Sequence, residues 1–248
     1  MKLVVGVLLF AGCAAGGRPF EPPTDDAPTN PPADGPVSPD PMPDSQQPDS
    51  MVLPPDSSVT PDSPPPPPDA CVPVITEVLA NPNLDGTPIG TGWTQVLIQG
   101  LEGGPYPIIT PDGLAAASAP NKAWMGGAAG LDAGQATVSD ALFQQITFPA
   151  DATTFVVTGM FATGTVEDQD AVYDTFRLDV TDVNGTPIEN VLQLNNLTPA
   201  APFAAFSKTL AQNYAGMTVQ LRATSTNDVI NHTNFFLDSL SFKATFCP

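Results

Sequence analysis

Basic side chains are scarce in this chain. Its 248 residues include 7 Lys and Arg against 26 Asp and Glu, which gives a formal net charge of −19. Binding to nucleic acid requires clustered Lys and Arg that neutralise phosphates, so this composition excludes nucleic acid as a partner. A strongly acidic surface resists association and suits cations as ligands, although most of these acids are expected to be solvated.

Motifs of known catalytic sites are also absent. The sequence contains no Gly-x-Ser-x-Gly, no His-Glu-x-x-His, no phosphate-binding loop and no dinucleotide-binding fingerprint. The one histidine, His232, has no Cys or carboxylate at a ligand or triad spacing, which predicts a solvated loop residue. A glycosidase-type carboxylate pair leaves no such signature, so hydrolase is kept as the least favoured alternative. We predict a protein that is not an enzyme.

No hydrophobic run is long enough to span a bilayer. The longest, Leu3 to Phe10, follows Met1-Lys2 and has the length of a signal-peptide core. It ends in Ala11-Gly12-Cys13, which resembles a bacterial lipobox. The resemblance implies a lipoprotein signal peptide at 1–12 and lipid attachment at Cys13, with anchoring in the outer membrane, at the cell surface or its periplasmic face. The alternative is an ordinary secretory signal.

Proline dominates the next segment. Of 31 prolines, 19 lie between Arg18 and Ala70, many in repeated Pro-Asp-Ser. With few apolar residues to offset the entropy of ordering, residues 13–70 are predicted to be a disordered Pro/Asp/Ser-rich linker. Because proline fixes φ and like charges repel, this linker is expected to be an extended, stiff stalk, with a maximum reach on the order of 160 Å.

The composition changes at Cys71, and residues 71–248 have the length of one domain. Short segments that alternate apolar and polar residues are separated by Gly, Pro, Asn and Asp, as in an all-β antiparallel sandwich. The clearest segment, Thr175–Thr181, directs Phe176, Leu178 and Val180 to one face. Helix is limited to short turns near Ala211–Ala215. The predicted strands are Val74–Leu79, Trp93–Ile98, Lys122–Met125, Ala141–Phe148, Thr154–Phe161, Thr175–Thr181, Asn190–Leu194, Ala204–Leu210, Thr218–Thr224 and Asn234–Thr245.

Two cysteines, Cys71 and Cys247, bracket this domain. In an oxidising compartment they are expected to form a disulfide that joins the first strand to the last. A loop of this length would stabilise the fold by roughly 5 kcal/mol in the chain-entropy model. The alternative is two free thiols.

The stretch Asn234–Phe242 contains an acid in an apolar pattern. Strict alternation would place Asp238 on the same face as Leu240 and Phe242. Burying a bare carboxylate costs several kcal/mol, so Asp238 must be hydrogen-bonded, paired or metal-bound.

Several motifs in residues 74–245 resemble those of galactose-binding-like and carbohydrate-binding-like modules, which are appended to secreted bacterial peptidases and surface proteins. The resemblance implies a jelly-roll sandwich that binds without catalysis. Its partner would be a glycan or a surface protein; a structural role in the cell envelope is the alternative. The motifs are Leu79-Ala-Asn-Pro-Asn-Leu-Asp-Gly86 with Gly92-Trp-Thr94, Tyr106-Pro-Ile-Ile109, Ala123-Trp-Met-Gly-Gly127, Tyr173-Asp-Thr-Phe-Arg-Leu-Asp-Val180, Tyr214-Ala-Gly-Met-Thr-Val-Gln-Leu221 and Phe235-Phe-Leu-Asp-Ser-Leu-Ser-Phe242.

The same resemblance implies a structural calcium ion. In related jelly rolls an acid at the position of Asp238 often holds Ca²⁺, joined by one at the position of Asp85, and Glu77 is a further candidate ligand. The second acid of the usual Asp-Asp pair is Ser239 here. The alternative is that Asp238 accepts hydrogen bonds from backbone N–H groups, or pairs with Lys243 or Arg222.

Aromatic and acidic loop residues complete the candidate sites. Tyr106, flanked by Gly104 and Pro105, is the favoured ligand-binding aromatic in a protruding loop. Trp93 and Trp124 are predicted to pack in the core. The acids at Glu167, Asp168 and Asp170 could bind a cation, but a charged loop tip is favoured.

Overall fold

Eleven strands and one short 3₁₀ helix form the part of the chain that the computed structural model describes, residues 71–198 and 200–247. The predicted signal peptide 1–12, the lipid attachment at Cys13 and the linker 13–70 lie outside it and stay predictions. In the described part, no helix is long and apolar enough to cross a membrane. The strands are β1 Val74–Glu77, β2 Thr94–Val96, β3 Ile109–Thr110, β4 Lys122–Gly126, β5 Val138–Thr147, β6 Ala152–Thr165, β7 Thr175–Thr181, β8 Pro187–Asn195, β9 Ala200–Thr209, β10 Thr218–Asn227 and β11 Thr233–Phe246.

The strands form two antiparallel sheets. One has the order β3-β4-β11-β6-β9, with β1 also paired to β11, and the other has the order β2-β5-β10-β7-β8. From β4 onward, β4, β6, β9 and β11 lie in the first sheet, and β5, β7, β8 and β10 in the second. This division, with the last two strands central in opposite sheets, is that of a double-sheet jelly roll. The predicted fold class is therefore confirmed.

The core lies between the two sheets and follows the alternation of the strands. Phe176, Leu178 and Val180 of β7 are all buried in it, as predicted. At one end of the sandwich the ring of Phe148 packs against Phe155 and Tyr214, with centroids 4.8 and 6.2 Å away. Strand β7 has the predicted bounds.

Three local features differ from or complete the sequence prediction. Strand β3 is not among the predicted strands, because its two residues are too few to show a period. The residues near Ala211–Ala215 form turns, and the helical turn is instead a 3₁₀ helix at Leu131–Ala133. The disulfide between Cys71 and Cys247 is present, with the Cα atoms 5.7 Å apart, which confirms that prediction.

Strand β11 is interrupted by a β-bulge. Its register with β6 shifts between Asp238 and Ser241, and Ser239 has a φ of 49°. Before the bulge Phe235 and Leu237 face the core, and after it Leu240 and Phe242 do so. The expectation that Asp238 shares a face with Leu240 is wrong, because an extra residue inverts the parity of a strand.

Candidate functional site

A cleft of about 630 Å³ lies beside the β3–β4 edge of the sandwich. Its walls come from the loop between β2 and β3, from β4, and from the segment that includes the 3₁₀ helix. Beneath it, Ile98, Ala128 and Val138 form a small second core. The volume is in the range of sites that hold small ligands.

Tyr106 presents its ring at this cleft. The side chain is 59% exposed, and its hydroxyl donates a hydrogen bond of 2.8 Å to the carbonyl of Glu102. This bond fixes the ring on its own loop. A Cβ at Gly104 would lie 3.2 Å from the ring, so a larger residue there would crowd it. The structure thus places Tyr106, the residue predicted to bind ligand, exposed at this cleft.

Trp124 lines the same cleft, and the prediction that it packs in the core is wrong. Its neighbours Ala123 and Met125 face the core, so the alternation of β4 turns Trp124 to the outer face. There its Nε1 donates to Asn234 Oδ1 at 2.7 Å, and its ring lies 5.8 Å from that of Phe236. The core prediction holds for Trp93, whose Nε1 donates to the carbonyl of Asn81.

Four acids and no Lys or Arg are among the described residues that line the cleft; the acids are Glu102, Asp112, Asp132 and Asp140. Lys122 lies behind it, fully buried, and its Nζ donates to the carbonyls of Thr110 and Asp112. Burial lowers the pKa of Lys122, opposed by the charges of Asp112 and Asp238. The cleft is thus rich in hydrogen-bond acceptors.

Asp140 is one of the cleft acids that the sequence did not suggest. It lies on β5, where one oxygen accepts a 2.5 Å hydrogen bond from Ser225 Oγ and the other accepts one from the N–H of Gly126 at 3.0 Å. Burial raises its pKa to about 6, against the lowering effect of these hydrogen bonds. The predicted strand began only at Ala141, which left Asp140 in a loop.

The structure brings together two of the three predicted calcium ligands. The backbone N–H of Ser118 donates to Asp238 at 2.7 Å, and the Ser118 hydroxyl lies 3.4 Å from Asp85. Asp238 is fully buried, and its pKa is raised by burial and also by the charge of Asp85. The carboxylate of Glu77 instead hydrogen-bonds to β11, where it accepts from the N–H of Phe242 and from the hydroxyl of Ser241.

The alternative role of Asp238 as an acceptor for backbone N–H groups is also seen. Besides Ser118, the N–H of Ser239 donates to it at 2.5 Å. Arg222, one of the suggested partners, lies instead over the ring of Phe143 at 4.7 Å. The N–H of Asn121 donates to Asp85 at 2.9 Å, so each oxygen of the two carboxylates accepts one hydrogen bond. Each keeps a second lone pair, and carboxylate oxygens are the ligand type that a hard cation such as Ca²⁺ takes.

No family model and no curated protein matches this chain. Among solved structures, it is similar to the carbohydrate-binding module TmCBM61, described in complex with β-1,4-galactotriose, with 12% identity over 67% of this chain and 97% of that one, and a TM-score of 0.43. The K3 cleaved adhesin domain of Lys-gingipain from Porphyromonas gingivalis has 11% identity over 68% and 99%, with a TM-score of 0.42. The C-terminal family 22 carbohydrate-binding module of Clostridium thermocellum Xyn10B has 13% identity over 69% and 92%, with a TM-score of 0.39. At these levels the similarities carry no argument about ligand or function.

Proposed function

We propose that the sandwich is a non-catalytic module that binds a neutral glycan in the cleft beside β3 and β4. The observation that carries this is the exposed ring of Tyr106, which lines the cleft together with Trp124 and four carboxylates. An aromatic face packs against the C–H face of a sugar ring, and nearby carboxylates accept hydrogen bonds from its hydroxyls.

The charge of the cleft sets the class of glycan. Four acids line it without a Lys or Arg among the described residues. Anionic sugars such as uronic acids would be repelled, because none of the described lining residues is a Lys or Arg that could pair with them. An uncharged hexose or pentose polymer avoids this repulsion, and its hydroxyls can donate hydrogen bonds to the carboxylates of the cleft.

Binding of the full-length protein to neutral and anionic polysaccharides tests the proposal. We expect binding to at least one neutral glucan, galactan, mannan or xylan, and none to polygalacturonate. Capture of an envelope protein with no glycan bound would favour a protein partner instead. Release of reducing ends from any bound polysaccharide would contradict the non-catalytic assignment.

We further propose that the module is held at the outer membrane by a lipid on Cys13 and displayed on the 13–70 linker. The lipobox-like Ala11-Gly12-Cys13 supports this. Stable anchoring needs more than one acyl chain. Mass spectrometry of the purified protein should find Cys13 as an acylated N-terminus, and Cys13→Ser should release the protein from membranes. A mature N-terminus downstream of Cys13 would contradict the anchor.

We also propose that Asp85 and Asp238 hold a structural Ca²⁺ without Glu77. Two carboxylates that share Ser118 as a hydrogen-bonding neighbour support this. Asp238→Asn is expected to remove one Ca²⁺ from the stoichiometry measured by calorimetry. Glu77→Gln is the matched control, since its carboxylate bonds to β11: it should lower stability and leave the stoichiometry unchanged. Equal stoichiometry in the Asp238→Asn variant would contradict the proposal.

A further inference from the structure

Three carboxylates from two loops, the loop between β6 and β7 and the loop after β10, lie close together. Glu167 follows β6, Asp174 precedes β7 and Asp228 follows β10. One oxygen of each lies within 4.8 Å of the other two. In the described part of the chain this is the one group of three potential metal-binding side chains that meets this distance. Glu167 belongs to the acidic loop of the sequence, but Asp168 and Asp170 are not in the group.

Two oxygens in this group have no hydrogen-bond partner among the described residues. Asp174 is fully buried, and while its Oδ1 accepts from the N–H of Asp228 at 2.9 Å, its Oδ2 is unpartnered. A buried oxygen of Glu167, Oε1, is also unpartnered. Buried polar atoms almost always have a partner, so each such oxygen points to a ligand.

Hydrogen bonds between side chains and the backbone hold the loops in place around these acids. Asn196 accepts from the N–H groups of Tyr173 and Asp174, and its amide donates to the carbonyl of Ala171 at 2.8 Å. Asp228 Oδ1 accepts from the N–H of Ile230 at 2.9 Å. The fold therefore fixes the backbone that carries Asp174 and Asp228.

Among the residues that the structure describes, no salt bridge compensates the charge of these three acids. The one salt bridge among the described residues is that of Arg177 with Asp179. Burial raises the pKa of Glu167, and the charges of Asp174 and Asp228 raise it further, while the side chain of Asn231 lowers it. Carboxylates this close repel one another unless a cation binds between them or one of them is protonated.

We propose that Glu167, Asp174 and Asp228 bind a Ca²⁺ ion that ties the loop before β7 to the loop after β10. The donor set is oxygen only, which disfavours Zn²⁺ and other metals that prefer Cys or His. Ligands from two separate loops suit the irregular coordination of Ca²⁺ better than the strict octahedron of Mg²⁺. This site shares no residue with the Asp85–Asp238 pair.

Calorimetric titration of the chelator-treated full-length protein with CaCl₂ and MgCl₂ tests the site. We expect Ca²⁺ to bind with a Kd on the order of 10⁻⁴ to 10⁻³ M, as in extracellular modules, and more tightly than Mg²⁺. Glu167→Gln, which changes a half-buried side chain, should weaken this binding by about tenfold or more. Asp168→Asn, one residue away but outside the group, is the matched control and should change the Kd less than about twofold.

The two calcium proposals are separated by running the titration in an Asp238→Asn background, where the loop site should remain. Asp174→Asn provides a second variant, and circular dichroism with chelator checks that each variant is folded. Unchanged Ca²⁺ affinity in folded Glu167→Gln and Asp174→Asn would overturn the proposal. The proposal would also be overturned if the Asp238→Asn variant released no heat on titration with Ca²⁺ and melted at the same temperature with Ca²⁺ as with chelator. Protons shared between the three carboxylates would then explain why they lie so close together.

Discussion

At the scale of single residues, the cleft depends on the direction in which two aromatic side chains, one on a strand and one on a loop, point. Trp124 lies between two core residues of β4 and so must face outward, where it lines the cleft. Tyr106 is tied to its loop by its hydroxyl, which leaves the ring free for contact. The hydroxyl and the ring therefore have separate roles, and substitutions can separate them.

Tyr106→Ala is expected to weaken glycan binding by about tenfold or more, because loss of an aromatic stacking surface costs roughly 1 to 2 kcal/mol. Tyr106→Phe keeps the ring and loses only the bond to Glu102, so its affinity should stay within about threefold of wild type. Both Kd values can be measured by calorimetry with the neutral polysaccharide that binds. Equal binding by the Ala variant would move the site away from this cleft.

Asp140→Asn is expected to match the wild type in stability near pH 4 and to exceed it near pH 7. Burial raises the pKa of Asp140 to about 6, so the folded chain favours the protonated form. The contribution of the protonated Asp140 to the free energy of unfolding is fully present below the unfolded pKa of about 4. It is lost as the pH rises through about 6, and the loss is at most about 3 kcal/mol. Asn imitates the neutral carboxyl at every pH.

Urea unfolding across this pH range measures the effect as the free energy of unfolding. The exposed Asp132→Asn, on the same cleft, is the control and should retain the pH dependence of the wild type. A pH dependence in Asp140→Asn equal to that of the wild type would show that Asp140 is not its source.

At the scale of the element, the bulge in β11 decides where the acid of that strand points. It lets Phe235 and Leu237 before it, and Leu240 and Phe242 after it, all face the core. Without it, one of these pairs would face outward and Asp238 would be directed differently relative to Asp85. The bulge therefore makes the contact with Ser118 available, which is why the carboxylate is satisfied although it is buried.

Ser239→Val is expected to destabilise the domain by about 1 to 3 kcal/mol, since a β-branched residue is strained at positive φ. The φ of Ser239 is 49°, a conformation that glycine adopts without this strain. Ser239→Gly is therefore the matched variant and should change stability by less than about 1 kcal/mol. Urea denaturation compares them; equal losses in both would point to the Ser239 side chain and not to its backbone.

At the scale of the whole molecule, the disulfide joins the ends of the domain. Cys71 and Cys247 are separated by 176 positions, so the bond restricts nearly the entire domain in its unfolded state. It lies next to the β1–β11 pair, where Val74 is opposite Phe246. The bond thus keeps the short, exposed first strand paired with the last.

The double variant Cys71→Ser/Cys247→Ser is expected to lose about 2 to 5 kcal/mol of unfolding free energy, because its unfolded chain regains the entropy that the bond removes. Replacing both residues avoids a free thiol. Thermal unfolding with and without reductant provides the control: reductant should destabilise the wild type and leave the double variant unchanged. An equal melting temperature for oxidised wild type and double variant would contradict this role.

The sequence by itself determined the class of fold, most strand positions and the disulfide. Period-two alternation is a local property of the chain, and the core of β7 follows from it directly. The exposed position of Tyr106 could also be predicted, because Gly and Pro mark a protruding loop.

Only the tertiary structure decided which distant residues share a site. The bulge at Ser239 is one extra residue in a strand whose pattern suggests none, and it inverted the predicted side of Asp238. Glu167 and Asp174 share the loop between β6 and β7, but Asp228 lies 54 residues after Asp174 in the chain. Asp140, which the sequence placed in a loop, is a buried residue of β5. Such convergence depends on how strands pair and cross between sheets, and no local pattern of residues encodes those distances.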